Sequence, residues 1–220
     1  MWDVAAIHAA AIQILCRTGM HMDSPSIQRL MKQHGFKTDG PIVFFTEESI
    51  QRALESAGRA FTLLARNPER NIAFDIDTCA VGTGRAAVFM MAPDGTRRSA
   101  TTQDCIDTFK LSHNLDIITM LGCLVMPTDV PTDRVWPVIM AAQLLNSDKP
   151  AIVMDHTGIE LLSRAFEVTP QRMKADADKG LAYAHTTINV ISPLMLGREQ
   201  GELLLTFAEH GFAICISPTP

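Results

Sequence analysis

Asp155 and His156 stand side by side directly after the apolar run Ala151-Ile152-Val153-Met154. A carboxylate beside an imidazole can share acid/base work or orient a cationic substrate. The same pair also suits plainer duty, with the Asp as a helix N-cap and the His as a surface imidazole. Asn189 lies inside the apolar stretch "TINVIS", where a buried amide needs hydrogen-bond partners as a satisfied core amide or as pocket lining. Ser192 and Ser217 each sit in an Ile-Ser-Pro, at 191–193 and 216–218. If both mark the carboxyl ends of parallel strands, each leaves a hydroxyl at the rim where such sheets bind ligands.

Two other stretches have motif-like spacing. Asp75-Ile76-Asp77-Thr78 has the Asp-x-Asp-x-Thr form of haloacid-dehalogenase-type phosphohydrolases, in which the first Asp is the nucleophile. That chemistry needs the end of a parallel strand followed by a helix, and here a Gly-Thr-Gly and another β-like run follow. Gly82-Thr83-Gly84-Arg85-Ala86-Ala87 matches the G-x-G-x-x-A dinucleotide fingerprint, whose glycines need a helix N-terminus behind them. The β-rich "AAVFMMA" comes instead. His8, His21, His34 and His113 fall on or beside helices without ligand-like partners, and Cys16, Cys79, Cys105, Cys123 and Cys215 form no C-x-x-C pair. Reduced, buried thiols are the simplest reading of the five, and no metal site is expected.

The elements that must position these residues follow from periodicity. Val4, Ile7, Ala11, Ile14 and Leu15 recur at helical spacing, which predicts a helix over 2–17. Ser24-Pro25 reads as N-cap and first helical residue, and Thr46 with Glu47 and Glu48 opens another helix. A short strand is expected at 42–45. Between 60 and 100, short β-like runs separated by Asn-Pro, Gly-Thr-Gly and Pro-Asp-Gly predict an antiparallel patch. From Thr102 onward, helices over 103–113, 133–146, between 158 and 180, and 198–210 alternate with apolar runs at 117–125, 150–155, 185–191 and 212–217. Those runs start roughly 34, 35 and 26 residues apart, with soft boundaries. The alternation predicts βα units around a parallel sheet of about four strands, adjacent in that order. The domain reading is 1–100 for N-terminal helices and an antiparallel β patch, and 101–220 for the first half of a (β/α)8 TIM barrel. Such a barrel takes about 250 residues, so the reading expects a truncation near residue 220 and an uncovered edge strand that promotes association.

Composition narrows the partners. The 220 residues are 47% hydrophobic and 20% charged, enough apolar content for a core, and the net charge of −5 argues against a nucleic-acid footprint. The longest apolar run, "IITMLGCLVM", is far short of the ~20 residues a membrane helix needs. Asp3 sits where a signal peptide would be basic. A cytoplasmic protein is expected. The methionines on core-like segments, such as Met90, Met91, Met120 and Met154, read as adaptable core filler.

The order of segments resembles the N-terminal half of the trimethylamine:corrinoid methyltransferase family. "IHAAAIQILCRTGMHMDSPSIQRLMKQHG", "FTEESIQRALESAGRAFTLLARNPERNIAF", "RRSATTQD", "VMPTDVPTDRVWPVIMAAQLLNSDKP", "NVISPLML" and "AICISPTP" carry the likeness over essentially the whole chain. The resemblance implies a (β/α)8 barrel with N-terminal decoration. It also implies methyl transfer from a methylated amine, trimethylamine or a quaternary amine such as glycine betaine, to the cobalt of a corrinoid. That corrinoid (cobalamin) is carried by a partner protein and not bound directly by this chain. Family members that use trimethylamine carry pyrrolysine in the C-terminal half, which this sequence does not contain.

On that basis Asp155, His156, Asn189, Ser192 and Ser217 are the candidate substrate-binding residues, with Asp155 supplying charge to an amine cation. The catalytic residues stay unassigned. The competing expectations are a non-catalytic half-barrel that pairs with a second chain or with another copy of itself, and the phosphohydrolase built on Asp75.

Overall fold

Side-chain caps set most of the helix starts, as the sequence leads one to expect. The computed structural model describes residues 3–58, 60–84 and 86–219, with Pro218 and Thr219 as backbone. Trp2 of the expected first helix, Arg85 of the glycine-rich stretch and the terminal Pro220 lie outside the described residues. Contacts divide the chain into two compact units, Met1–Gly58 with Thr187–Thr206 and Cys215–Pro220, and Arg59–Thr186 with Phe207–Ile214.

In the first unit, α1 (Val4–Arg17) begins at Asp3, whose carboxylate accepts the Ala6 N–H at 3.0 Å. β1 (Met20–Met22) leads to α2 (Pro25–Gln33), where the Ser24 hydroxyl accepts from Ile27 N at 3.1 Å and Pro25 fills the first turn. β2 (Lys37–Asp39) and β3 (Ile42–Phe44) form a hairpin, and β3 also pairs antiparallel with β1. Gly19, at φ +76°, is required here, since a Cβ would lie 2.7 Å from the Val43 carbonyl oxygen. α3 (Glu47–Ser56) starts in a reciprocal cap between Thr46 and Ser49.

The second unit opens with β4 (Phe61–Leu63) and β5 (Ile72–Phe74), antiparallel and joined by stacked Phe61 and Phe74 rings. β6 (Phe89–Met91) and β7 (Arg97–Ser99) are the two arms of the Pro93-Asp94-Gly95 turn, in which Asp94 accepts the Thr96 N–H at 2.9 Å. α4 (Thr102–Asn114), α5 (Val135–Asn146), α6 (His156–Phe166) and α7 (Pro170–Ala177) follow. The strands β8 (Leu181–Ala182) and β9 (His185–Ile191) come next, and β8 runs parallel to β4. β10 (Met195–Leu196), α8 (Arg198–Glu209) and β11 (Ala213–Thr219) complete the described chain. One sheet has the order β11-β9-β10-β1-β3-β2, with β1 and β10 parallel. The fold is therefore mixed α/β, with parallel and antiparallel pairs.

The structure corrects the expected four-strand parallel sheet in three places. Residues 117–125 and 150–155 are extended segments held by isolated bridges, not continuous strands. The reason is visible at Gly122. Its N–H donates to the Thr83 hydroxyl at 2.9 Å and its carbonyl accepts from the same hydroxyl at 3.0 Å, so a side chain replaces the backbone ladder. A Cβ at Gly122 would lie 2.7 Å from the Thr83 carbonyl oxygen. Second, Gly82 and Ala87 are not part of an antiparallel patch. They bridge in parallel to Met120 and Val125, respectively. On the other side of residues 120–125, Leu121 N donates to the Pro150 carbonyl at 3.0 Å, and Ile152 bridges His185 in parallel.

The third correction concerns the two Ile-Ser-Pro copies. Ile191 does end β9, and the chain reverses through Ser192-Pro193 into β10, whose Met195 pairs antiparallel with Ile191. Ser217-Pro218 instead lies inside β11. A proline lacks the N–H of a ladder bond, and β11 tolerates it because it is the outermost strand of its sheet.

The core of the second unit is built by α4 and α5 over the extended segments. Cys105, Phe109, Leu121, Cys123, Val125, Ile139 and Ala142 are buried together, with Trp136 packed against them. Burying one such Leu or Phe removes enough apolar area to contribute about 1.5–3 kcal/mol. None of the five cysteines forms a disulfide; Cys105 and Cys123 are buried as expected, whereas Cys79 and Cys215 are exposed. Burial pushes the Cys105 thiol up to about 12, with the neighbouring Cys123 adding to the shift. No helix among the described residues is long and apolar enough to cross a membrane.

Candidate functional site

Asp155 opens α6 as its N-cap. Its Oδ1 accepts the Gly158 N–H at 2.9 Å and its Oδ2 accepts the Thr157 hydroxyl at 2.7 Å. Gly158 lets the carboxylate seat this closely, because a Cβ there would stand 3.1 Å from Val153 Cγ1 and 3.4 Å from Asp155 Oδ1. The carboxylate is half-buried and has no Lys, Arg or His ion-pair partner among the described residues. It lines a crevice of about 10 Å³, room for one water, with Trp136, Met140, Ile152 and Met154. A tryptophan and an unneutralised carboxylate lining one crevice are the residue types that suit a substituted ammonium group. His156 is exposed, in the first turn of the same helix.

The remaining sequence-derived candidates belong to the other unit. Asn189 is in β9 but its side chain is exposed, so it is not the buried amide the sequence led us to expect. Its N–H donates to Gln200 Oε1 at 2.9 Å. The reason is position along the strand: the first four residues of β9 are buried on both faces, and burial ends at Ile188. Ser192 is exposed in the turn to β10, and Ser217 is half-buried in β11. Asp155 and His156 are thus brought together by α6, while Asn189, Ser192 and Ser217 are carried by β9, its turn and β11.

The two motif-like stretches do not have the contexts their chemistry needs. Asp75 accepts from the Thr78 hydroxyl at 2.6 Å and from Asp77 N at 3.0 Å, forming an exposed turn after β5, with Ile76 95% exposed. β5 is antiparallel to its neighbour and no helix follows the turn. Gly82-Thr83-Gly84 passes into an extended segment, not a helix N-terminus.

Residues that sequence reasoning passed over are also instructive. Trp136 was hidden in the apolar stretch of α5. Its signal is that it is one of two tryptophans in the chain. His185 opens β9 buried, with Nε2 2.8 Å from the Leu121 carbonyl oxygen. Asp176 is buried at the end of α7 and accepts from Arg172 Nε at 2.7 Å, Lys179 Nζ at 3.1 Å and the Tyr183 hydroxyl at 2.9 Å. The Arg172 hydrogen bond above all holds that carboxyl down to about 2, against the opposing effect of burial. Lys149 is buried too, and its ammonium caps α4 by donating to the carbonyls of Ser112 and Leu115 at 2.7 and 2.8 Å. Burial pushes its pKa down. Among the described residues no group of three or more His, Cys, Asp and Glu is placed to hold a metal ion.

Known proteins place this geometry in context. Glycine betaine methyltransferase of Desulfitobacterium hafniense (strain Y51) is 28% identical over 219 residues, covering 98% of this chain and 45% of the relative. Proline betaine:corrinoid methyltransferase of Eubacterium limosum is 27% identical over 115 residues, 52% of this chain and 24% of the relative. L-carnitine:corrinoid methyltransferase of the same organism is 21% identical, over 98% of this chain and 46% of the relative. The chain spans about half the length, or less, of the curated relatives it matches. The trimethylamine methyltransferase (MTTB) family matches residues 3–219, and the chain belongs to that family.

Proposed function

We propose that this chain is part of a cytoplasmic enzyme that moves a methyl group from a quaternary amine to the cobalt of a corrinoid carried by a separate partner protein. The observation that carries this reading is the family match over 3–219, joined by relatives named for glycine betaine, proline betaine and carnitine. Each of those three compounds bears a quaternary ammonium. In the reaction the electron pair of reduced cobalt takes the methyl carbon. The C–N pair stays on nitrogen, so a neutral tertiary amine leaves without a proton.

The chain would then supply the first part of a (β/α)8 barrel. Support comes from the parallel bridges of 82–87 with 120–125 and of Ile152 with His185. In this reading Asp155 and Trp136 hold the ammonium, and the crevice widens to admit it. Asp155 stabilises the cation of the bound substrate, and Trp136 offers its ring face. His156, in the first turn of the same helix, is proposed as a further polar contact to the substrate.

The test is methyl transfer from glycine betaine to a cob(I)alamin-loaded partner, followed by its absorbance change. Trimethylamine and carnitine serve as comparison substrates. Asp155→Asn keeps an N-cap, because Asn caps as well as Asp, but removes the charge. It is expected to raise KM about tenfold or more with an unchanged melting temperature. Unchanged KM would remove Asp155 from the site, and no transfer from any methylated amine by the intact protein would sink the functional reading. One observation favours the half-barrel module as a second reading. α1 buries no residue, and Val4 and Ile7 are 75% and 54% exposed. That reading predicts stable association in sedimentation without any transfer activity.

A further inference from the structure

A cavity of about 580 Å³ is lined wholly by the segment 16–52, and none of the proposed substrate contacts lines it. Its lining includes Arg17 at the end of α1, Lys37 on β2 and Arg52 on α3, together with Phe36, Phe44 and Phe45. No Asp or Glu lines it. In a chain whose net charge is −5, three permanent cations around one cavity invert the local sign. Arg17 and Lys37 have no ion pair among the described residues, and Arg52 meets only Glu48, at 4.0 Å with both side chains exposed. Such an exposed pair neutralises little.

The aromatic side is built, not incidental. Phe36 and Phe45 meet edge-to-face with centroids 5.7 Å apart, and the Lys37 ammonium sits 5.2 Å over the Phe44 ring. The β2–β3 hairpin places Lys37 opposite Phe44, so strand register sets this contact. The Phe45 N–H donates to the Leu15 carbonyl at 3.3 Å, tying the aromatic wall to the helix that carries Arg17. The volume is in the range of small-molecule sites, about 300–1,000 Å³.

We infer that this cavity binds a small organic anion, a carboxylate or phosphate on a flat apolar body. Arg17, Lys37 and Arg52 hold the anion, and Phe36, Phe44 and Phe45 hold the body. A permanent anion is required, because the rim offers donors and positive charge with no carboxylate to accept from a cation. The flat body is required because half-buried Phe rings form the wall.

The probes are phenyl phosphate, benzoate, inorganic phosphate, benzamide and benzylamine, each titrated into the purified protein by calorimetry at low and high salt. Phenyl phosphate or benzoate is expected to bind at least about tenfold tighter than inorganic phosphate, benzamide or benzylamine, and to weaken as salt rises. Which of the two binds better identifies the head group. The combined Arg17→Gln, Lys37→Gln, Arg52→Gln variant changes only exposed side chains and should keep its melting temperature while losing about tenfold or more in affinity. Phe45→Leu, should it unfold the segment, is replaced by Phe36→Leu as the test of the aromatic wall. Equal binding of benzamide, an unaffected triple variant, or binding of an acidic peptide with none of the small anions would each overturn the inference.

Discussion

Asp155 and Asp176 are both helix-terminal carboxylates of the same unit, and they have opposite surroundings. Asp176, at the end of α7, is buried and surrounded by Arg172, Lys179 and Tyr183. Its charge is met within its own neighbourhood, and it has no capacity left for a ligand. Asp155, at the start of α6, accepts only from a hydroxyl and a backbone N–H, and lines a crevice with Trp136. A carboxylate satisfied by neutral donors keeps its charge available, while one satisfied by cations does not. The difference marks the first as a candidate contact for a cation and the second as a structural post.

The comparison breaks most visibly at Asp176. Asp176→Asn leaves Arg172 and Lys179 without their counter-charge and Tyr183 without its acceptor. We expect the melting temperature to fall on the order of 5 °C, read by circular dichroism. A fall no larger than that of Asp155→Asn would erase the distinction between the two carboxylates.

Acid sharpens it next. The folded-state pKa of Asp176 is depressed to about 2 from the usual 3.8. Its contribution to stability is therefore complete above about pH 4 and is lost as pH falls from there toward 2. Urea unfolding over that window should show a steeper loss in the native protein than in Asp176→Asn. Parallel curves would refute the assignment.

A smaller effect is expected at Asp155 itself. Asp155→Ala removes the cap of α6 and should cost about 1 kcal/mol, whereas Asp155→Asn should stay within about 0.5 kcal/mol of the native protein in urea unfolding. Similar losses in the two variants would mean that charge, not capping, is its structural role. A modest effect is expected of Arg172→Gln, which loses the charge but can still donate to Asp176, with Lys179 and Tyr183 also in place and the Arg172 side chain largely exposed. Its melting temperature should stay within about 2 °C.

By itself the sequence determined the local signals. Ser24-Pro25 and Thr46 start helices where they were read, the Pro93-Asp94-Gly95 turn joins two antiparallel arms, and β9 and β11 sit close to their expected bounds. Asp155 was legible as a cap for the same reason: the N–H it accepts from belongs to a residue three positions away. Caps and turns are contacts among neighbours in the chain, so residue order is enough to specify them. What only the tertiary structure decided involves partners far apart. Thr83 meets Gly122 and breaks the ladder expected at 117–125, and Gly82 and Ala87 turn out to bridge in parallel to Met120 and Val125. Pro218 continues a strand because that strand is outermost, and Asn189 faces solvent because burial along β9 ends at 188. The indole beside Asp155 comes from α5, and the three cations of the anion cavity come from α1, β2 and α3. Such juxtapositions depend on which elements pack together. Packing sums many weak contacts between distant residues, and no short window of sequence contains that sum.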